Sequence, residues 1–218
     1  KNIVVLIGMG CAAALASIFQ APITGIIFAI EVFMIDISMA SLIPIIVSSF
    51  VAILTSYFFL GKAFEYTITT STAFMPSNSL FYVGLGLFVG LTSAYFMYVY
   101  FKMDKRFKKI KSPWMRFALG VSGLGVLIFI FPALYGEGYE AINAALRGDC
   151  SILFENSMFS SFQNNIWIIL VLLLMIILLK AFATSFTFAA GGVGGTFAPA
   201  LFIGAFSGMF FAMLVNTL

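Results

Sequence analysis

A glycine-rich stretch near the end of the chain holds the residues whose types and spacing are most informative about chemistry. Residues 191–208 read GGVGGTFAPALFIGAFSG. Gly194 and Gly195 allow a tight backbone turn, and Pro199 suits the first turn of a helix that begins at about Thr196. The first N–H groups of a helix lack intrahelical partners, and the helix dipole adds partial positive charge. The pattern therefore predicts an anion-binding helix N-terminus.

An anion site built from backbone amides suits passage of the ion more than tight storage. It carries no formal charge, so an anion can bind and also leave, and permeation needs that balance. Glycine-rich breaks also serve simple close packing of helices. The spacing alone leaves both interpretations open.

Two ionisable side chains, Glu31 and Lys180, stand in otherwise apolar segments. Charged groups at membrane depth are costly, so each is expected to be functional or paired. Our hypothesis is that Glu31 pairs with Lys180 or caps backbone amides, and we favour this structural role over proton transfer.

The missing residue types exclude several classes of enzyme and metal site. The chain has no histidine, which excludes Ser–His and Cys–His catalysis and metal sites with histidine ligands. Cys11 and Cys150 are too far apart in sequence to form a metal cluster alone. We expect no enzymatic activity and no bound metal.

Composition identifies the environment in which these residues act. Of 218 residues, 62% are hydrophobic and 9% are charged, against about 25% charged in soluble domains. The mean hydropathy is +1.13, which predicts an integral membrane protein of at most about seven or eight crossings. The chain starts and ends beside apolar runs, so we expect a fragment of a longer protein.

Long apolar runs without alternation predict helices rather than strands. The short helix begins at Pro22 after a break, and Pro44 is placed in the first turn of the span that follows. A polar loop is expected at 61–79 and a long connection at 132–163. The predicted helices are 3–18, 22 to about 34, 41–60, 80–101 with possible continuation to 111, 114–131, one beginning at 165, and 196–215. Short and interrupted helices in membranes often line ion or substrate sites.

The distribution of charge predicts the orientation. Seven of the eleven basic residues lie in 102–116, opposed there only by Asp104, so this loop is expected to be cytoplasmic. The acidic connection 132–163 is then outside, which places Glu31 near the cytoplasmic face and Lys180 toward the inner side. We interpret the basic run as a topology determinant, with specific lipid binding as the alternative.

Two long motifs resemble the CLC family of chloride channels and transporters. The pattern GGxGGxFAP at 191–199, followed by Gly204 and Gly208, is similar to the second anion-binding signature of that family. Residues 10–32, GCAAALASIFQAPITGIIFAIEV, resemble its G-x-A-A-x-x-A…F-x-A-P-x-x-G-x-x-F-x-x-E stretch. Lys180 matches a basic position, and YGEG at 135–138 fits bacterial members. The resemblance covers essentially the whole chain.

The resemblance implies an all-α, polytopic membrane protein with broken, tilted helices in a truncated inverted-repeat architecture. Residues 1–218 would form one transmembrane fragment, with 1–60 ending the first repeat and 80–218 starting the second. It further implies a homodimer in a bacterial inner membrane with one anion pathway per subunit. Helices at 22–33 and 41–58 would supply part of the dimer interface.

The resemblance also assigns the site residues. The backbone amides of Thr196 and Phe197 would coordinate the central chloride, and Gly194, Gly195 and Ala198 would belong to the same anion-binding segment. The Phe197 side chain would line the path. Chloride is then the substrate, the lipid bilayer is the other partner, and no cofactor or nucleic acid is implied.

Other family segments would lie outside this chain. The anion-contacting serine of G-S-G-I-P and the gating glutamate of G-[KR]-E-G-P would precede Lys1, and the central tyrosine would follow Leu218. The chain thus resembles roughly the middle half of a CLC membrane domain. Alone it is not expected to form a complete selective pathway.

The pair Glu31-Val32 bears on the transport mechanism. Many proton-coupled members have Glu-Glu here, and the second acid relays protons, whereas this chain resembles channel-type members at Val32. We expect a channel-like or weakly proton-coupled pathway. A full proton–chloride exchanger is the alternative, because some exchangers lack that acid and Asp36 lies nearby. A non-transporting fragment with a structural role is a more distant alternative.

Overall fold

The computed structural model describes residues 2–61, 75–155, 157, 159, 163 and 165–217. Over this part of the chain the protein is helical and contains no strand. The α-helices are α1 (Asn2–Phe19), α2 (Pro22–Val32), α3 (Met39–Leu60), α4 (Ser79–Lys108), α5 (Pro113–Ile130), α6 (Tyr139–Leu146), α7 (Ile166–Ala189) and α8 (Phe197–Thr217). Five of them, α3, α4, α5, α7 and α8, are long and apolar enough to cross a membrane. The predicted all-α, polytopic fold is confirmed.

The chain divides into two compact units, Lys1–Thr67 and Ile68–Leu218. The division falls within the polar loop predicted at 61–79, most of which lies outside the described residues. The assignment of 1–60 and 80–218 to two sequence repeats stays a prediction.

In the first unit, α1 and α2 pack closely through small residues. Ala12 and Ala16 are fully buried. A Cβ atom on Gly25 of α2 would lie 2.5 Å from the carbonyl oxygen of Ala12, so only glycine permits this approach. Close contact between backbones is the usual way in which helices associate where lipid removes the hydrophobic driving force.

The start of α3 corrects the predicted boundary. The helix begins at Met39, two residues before the expected position, because Ser38 and Ser41 form a reciprocal capping box. Pro44 therefore lies in the second turn and not in the first. Similarly, α2 ends at Val32, and Met34 has a left-handed φ of 48°.

In the second unit, α7 is the central helix and contacts α4, α5 and α8. Leu173, Ile176 and Ile177 are almost completely buried. Aromatic pairs join α4 to α7, with centroids 6.1 Å apart for Phe107 and Phe186. This burial explains the long unbroken apolar run, because α7 is covered on several sides.

The long connection between α5 and α7 is more structured than predicted. It contains α6 and two 3₁₀ turns, Pro132–Leu134 and Ser151–Leu153. Ala141, Ile142 and Ala145 of α6 are buried, and α6 packs against α8. The sequence predicted a long connection at 132–163 without identifying α6 within it. By contrast, α4 does continue into the basic stretch and ends at Lys108.

Candidate functional site

The end of α7 turns sharply through Gly191. Gly191 has a φ of +99°, and its N–H donates to the carbonyl of Phe188, while the N–H of Gly192 donates to that of Thr187. These two bonds and the left-handed glycine form a Schellman motif, which satisfies the last carbonyls of the helix. A φ of this sign is free of strain only for glycine. Within the break Gly191 has it, whereas Gly194 and Gly195 do not.

The helix predicted after the break is α8, which begins at Phe197. The carbonyl of Thr196 accepts a hydrogen bond from Ala200 N–H at 3.0 Å. Pro199 is the third residue of the helix, where a missing N–H costs nothing. Val193 is fully exposed, and Phe197 is 41% exposed. The structure therefore presents the start of α8 on an open surface of the second unit.

A cavity of about 490 Å³ adjoins the start of α8. It brings together the break after α7, the segment after α5 and one face of α7. Thr196 is not among the lining residues. Those from the break and α8 are Val193, Gly194, Gly195, Phe197, Ala198 and Pro199, and those from the segment after α5 are Leu134, Tyr135, Gly136, Glu137 and Tyr139. Lys180, Thr184 and Thr187 line it from α7.

Lys180 lies inside the wall of this cavity and is only 3% exposed. Its Nζ donates to the carbonyls of Leu134 at 3.3 Å and Gly136 at 3.1 Å. It also lies 4.3 Å from the centre of the Phe202 ring, which is a cation–π distance. The groups that hold this ammonium are thus all neutral. Lys180 lies 14 residues after the start of the 24-residue helix α7, near its middle.

Close packing of Gly138 completes the cage around Lys180. Gly138 has a φ of +82°, and a Cβ atom there would lie 2.5 Å from the Phe202 ring. A side chain at this position would push the segment after α5 away from α8. Gly138 and Phe202 were not predicted as site residues. In the sequence, only the two glycines of YGEG indicated an unusual backbone conformation here.

Glu31 and Val32 are the last two residues of α2, and both are exposed in the first unit. Lys180 belongs to the second unit and already has partners there. The predicted pairing of Glu31 with Lys180 therefore stays a prediction, as do the roles of Glu31 and Val32 in the pathway.

Two titratable groups in the connection after α6 have perturbed pKa values. Burial raises the pKa of the Cys150 thiol, and the Asp149 carboxylate raises it further. The backbone N–H of Ser151, which donates to Asp149 Oδ1 at 2.8 Å, lowers the pKa of that carboxyl. The two shifts thus favour a charged Asp149 carboxylate and a neutral Cys150 thiol.

A comparison with models of protein families shows to which family the chain belongs. The family model described as "Voltage gated chloride channel" matches residues 1–218. The chain belongs to the voltage-gated chloride channel family. The five apolar helices of span length in the described residues, together with this membership, identify an integral membrane protein.

Several curated chloride channel proteins are similar to this family member. The voltage-gated ClC-type chloride channel ClcB of Citrobacter koseri is 29% identical over 95% of this chain and 46% of its own length. ClcB of Salmonella typhimurium is 29% identical over 94% and 45%. A putative ClcB-like chloride channel protein of Ralstonia nicotianae is 28% identical over 98% and 46%. The chain thus spans about half the length of these relatives. No solved structure gave a significant match.

Proposed function

We propose that this chain forms part of a chloride pathway across a membrane, with the anion held by backbone amides at the start of α8. The observation that carries the proposal is the cavity in which the start of α8 and Lys180 meet. Membership of the chloride channel family supports anion transport as the general function. In this proposal the chain transports its ligand and performs no reaction on it.

The electrostatics of the cavity suit a mobile anion. The first turn of α8 supplies partial positive charge from the N–H groups of Phe197 and Ala198. Lys180 adds a full positive charge from the wall, but its Nζ is already engaged by two carbonyls. Its field attracts an anion into the cavity without the tight ion pair that would trap it.

A carboxylate placed beside the start of α8 tests the proposal. Val193 is fully exposed and lines the cavity, so substitution there disturbs little packing. In the full-length protein reconstituted in liposomes, Val193→Glu should reduce chloride efflux at least tenfold, because the new anion competes for the same partial charge. Val193→Gln should retain most of the flux, because glutamine has the shape of glutamate without its charge. Equal efflux from both variants would contradict an anion site at α8, and no efflux from the unmodified full-length protein would favour the structural role.

We further propose a channel-like or weakly proton-coupled mechanism. The support is Val32, which follows Glu31 at the end of α2 and carries no titratable proton. Simultaneous chloride and pH recordings on liposomes distinguish this from full exchange. Proton movement against its gradient, driven by chloride, would establish the exchanger alternative.

The assembly that we propose is a homodimer in a bacterial inner membrane with residues 102–116 in the cytoplasm. The asymmetry of the basic residues supports this orientation. The thiol introduced by Lys109→Cys should react with a membrane-impermeant maleimide from the cytoplasmic side alone. Crosslinking of the full-length protein in membranes should yield a dimer, and a strictly monomeric pattern would contradict the assembly.

A further inference from the structure

The end of α4 and the start of α5 form a densely cationic surface, which we call the basic turn. Asp104 is the single acidic residue in this region, so the net charge is +6. Its basic residues are Lys102, Lys105, Arg106, Lys108, Lys109, Lys111 and Arg116. All of them except the half-buried Arg116 are exposed.

Little of this charge is neutralised within the described part of the chain. The ion pair recorded there joins Lys108 Nζ to Asp104 Oδ2 at 2.6 Å. Lys102 donates to the Tyr98 hydroxyl at 2.7 Å, which leaves its charge in place. Arg116 Nε is buried without a hydrogen-bond acceptor. Lys105, Arg106, Lys109 and Lys111 make none of these contacts and are exposed, so an anion from outside the chain can reach them.

The helix dipole of α4 stabilises the cations of the basic turn that lie at its end, but the dipole of α5 does not. The last turn of α4 ends in partial negative charge, which favours Lys105, Arg106 and Lys108 there. The first turn of α5 carries partial positive charge and has no acidic residue. Lys111 and Arg116 therefore add to a positive helix end, an arrangement that is unfavourable unless an external anion is near.

The length of α4 sets the depth of the basic turn. A helix of 30 residues is about 45 Å long, whereas the hydrocarbon core is about 30 Å thick. The last turns of α4 therefore reach the headgroup region. Phe96, Val99, Met103 and Phe107 are buried on one face of the helix, and the basic residues occupy its remaining surface.

Exposed aromatic residues lie beside the cations. Trp114 is 80% exposed, Tyr98 60%, Phe101 51% and Phe117 51%. Aromatic rings of this kind anchor proteins at the membrane interface. A surface that combines phosphate-binding cations with exposed aromatic rings matches a phospholipid, which presents an anionic headgroup next to acyl chains.

We propose that the basic turn is a binding surface for anionic phospholipids, with lysine and arginine side chains on the headgroup phosphates and Trp114 at the headgroup level. Setting the topology requires only an excess of positive charge. The exposed aromatic rings beside the cations and the lack of acids in α5 point in addition to a lipid ligand. A nucleic acid fits less well, because the adjoining aromatic surface would remain uncovered. The inference is independent of the anion site at α8.

Contact quenching of Trp114 tests the proposal on the full-length protein. The other tryptophans, including Trp167, are replaced by phenylalanine, and the protein is reconstituted in phosphatidylcholine vesicles with a minor fraction of phosphatidylglycerol. Bromine-labelled phosphatidylglycerol should quench Trp114 several times more than bromine-labelled phosphatidylcholine at equal mole fraction. Raising the salt from about 0.1 M to about 1 M should abolish most of the difference, because the Debye length falls from about 10 Å to about 3 Å.

Variants of three exposed lysines provide the matched control. Replacement of Lys105, Lys109 and Lys111 by glutamine should weaken phosphatidylglycerol binding roughly fivefold per charge and roughly a hundredfold in total. Replacement of the same residues by arginine should preserve it. Equal quenching by the two lipids in the unmodified protein would overturn the proposal. This result does not depend on whether the glutamine variant folds. A salt-insensitive preference, or displacement of the lipid by a short DNA duplex, would overturn it as well.

Discussion

The contact between α5 and α7 depends on Gly120, and its substitution gives the sharpest prediction. A Cβ atom at Gly120 would lie 2.6 Å from the Cβ of Ala190 and 2.9 Å from the carbonyl oxygen of Phe186. Phe186 lies in the last turn of α7, and Ala190 is the C-cap residue of that helix. Relief to an ordinary contact of 3.4 Å would require a shift of about 0.8 Å at Ala190. Overpacking of this kind typically costs about 1–3 kcal/mol.

Gly125 on the same helix is the matched control, because a Cβ atom there would meet nothing within 4 Å. Alanine improves helix propensity by about 1 kcal/mol at either position. The difference in unfolding free energy between Gly120→Ala and Gly125→Ala should therefore equal the steric cost alone, about 1–3 kcal/mol. This corresponds to a difference of at least a few degrees in apparent unfolding temperature.

The same shift should also impair transport. Ala190 directly precedes Gly191, where α7 turns toward the start of α8, so displacement of Ala190 moves one wall of the anion site. Chloride efflux from liposomes that contain the full-length Gly120→Ala variant should fall severalfold, while Gly125→Ala should match the unmodified protein. If both variants unfold at the same temperature and transport equally, the reasoning from close packing is refuted.

Three further predictions concern the cage around the buried lysine, the turn after α7 and the thiol after α6. Lys180→Met should lower chloride efflux severalfold. It should also leave two carbonyls without their donor, which lowers the unfolding free energy by about 1–3 kcal/mol for each carbonyl that stays buried. Lys108 is exposed, so Lys108→Met should change neither efflux nor thermal stability. Gly191→Ala should lower the unfolding free energy by about 1 kcal/mol or more, since alanine at a φ of +99° is strained, and thermal unfolding checks this. The alkylation rate of Cys150 by iodoacetamide should reach half its maximum at a higher pH than that of a free cysteine, because burial and Asp149 raise the thiol pKa. Asp149→Asn should move that midpoint down only in part, and an unchanged midpoint would show that the carboxylate has no influence.

The sequence predicted the helices well where one physical signal dominates. Apolar runs of span length marked α4, α5, α7 and α8 within a few residues, and Pro22 marked the start of α2. The errors arose where short-range polar chemistry competes with hydropathy. The start of α3 is set by the Ser38–Ser41 capping box, and α6 has only eight residues, too few to produce a clear periodic pattern.

For the candidate site, local sequence predicted the helix start and tertiary structure supplied the rest. The glycines and Pro199 indicated where α8 begins, because their backbone restrictions act within a few residues. The carbonyls that hold Lys180 could not be predicted, since any residue supplies a carbonyl and only the fold selects Leu134 and Gly136. The sequence predicts a tight turn at Gly194 and Gly195 but does not predict the Schellman motif at Gly191, because several glycines close together are equivalent in sequence.

The cage around Lys180 has a consequence for how the protein is made. A lysine at the centre of a helix costs about 2.5–3.5 kcal/mol during insertion by the translocon, and α7 compensates by being the most apolar of the five spans. The carbonyls of Leu134 and Gly136 are synthesised before Lys180, whereas Phe202 follows it. The ammonium therefore acquires its last neighbour only after α8 has been synthesised, so the cage around Lys180 cannot close before that point.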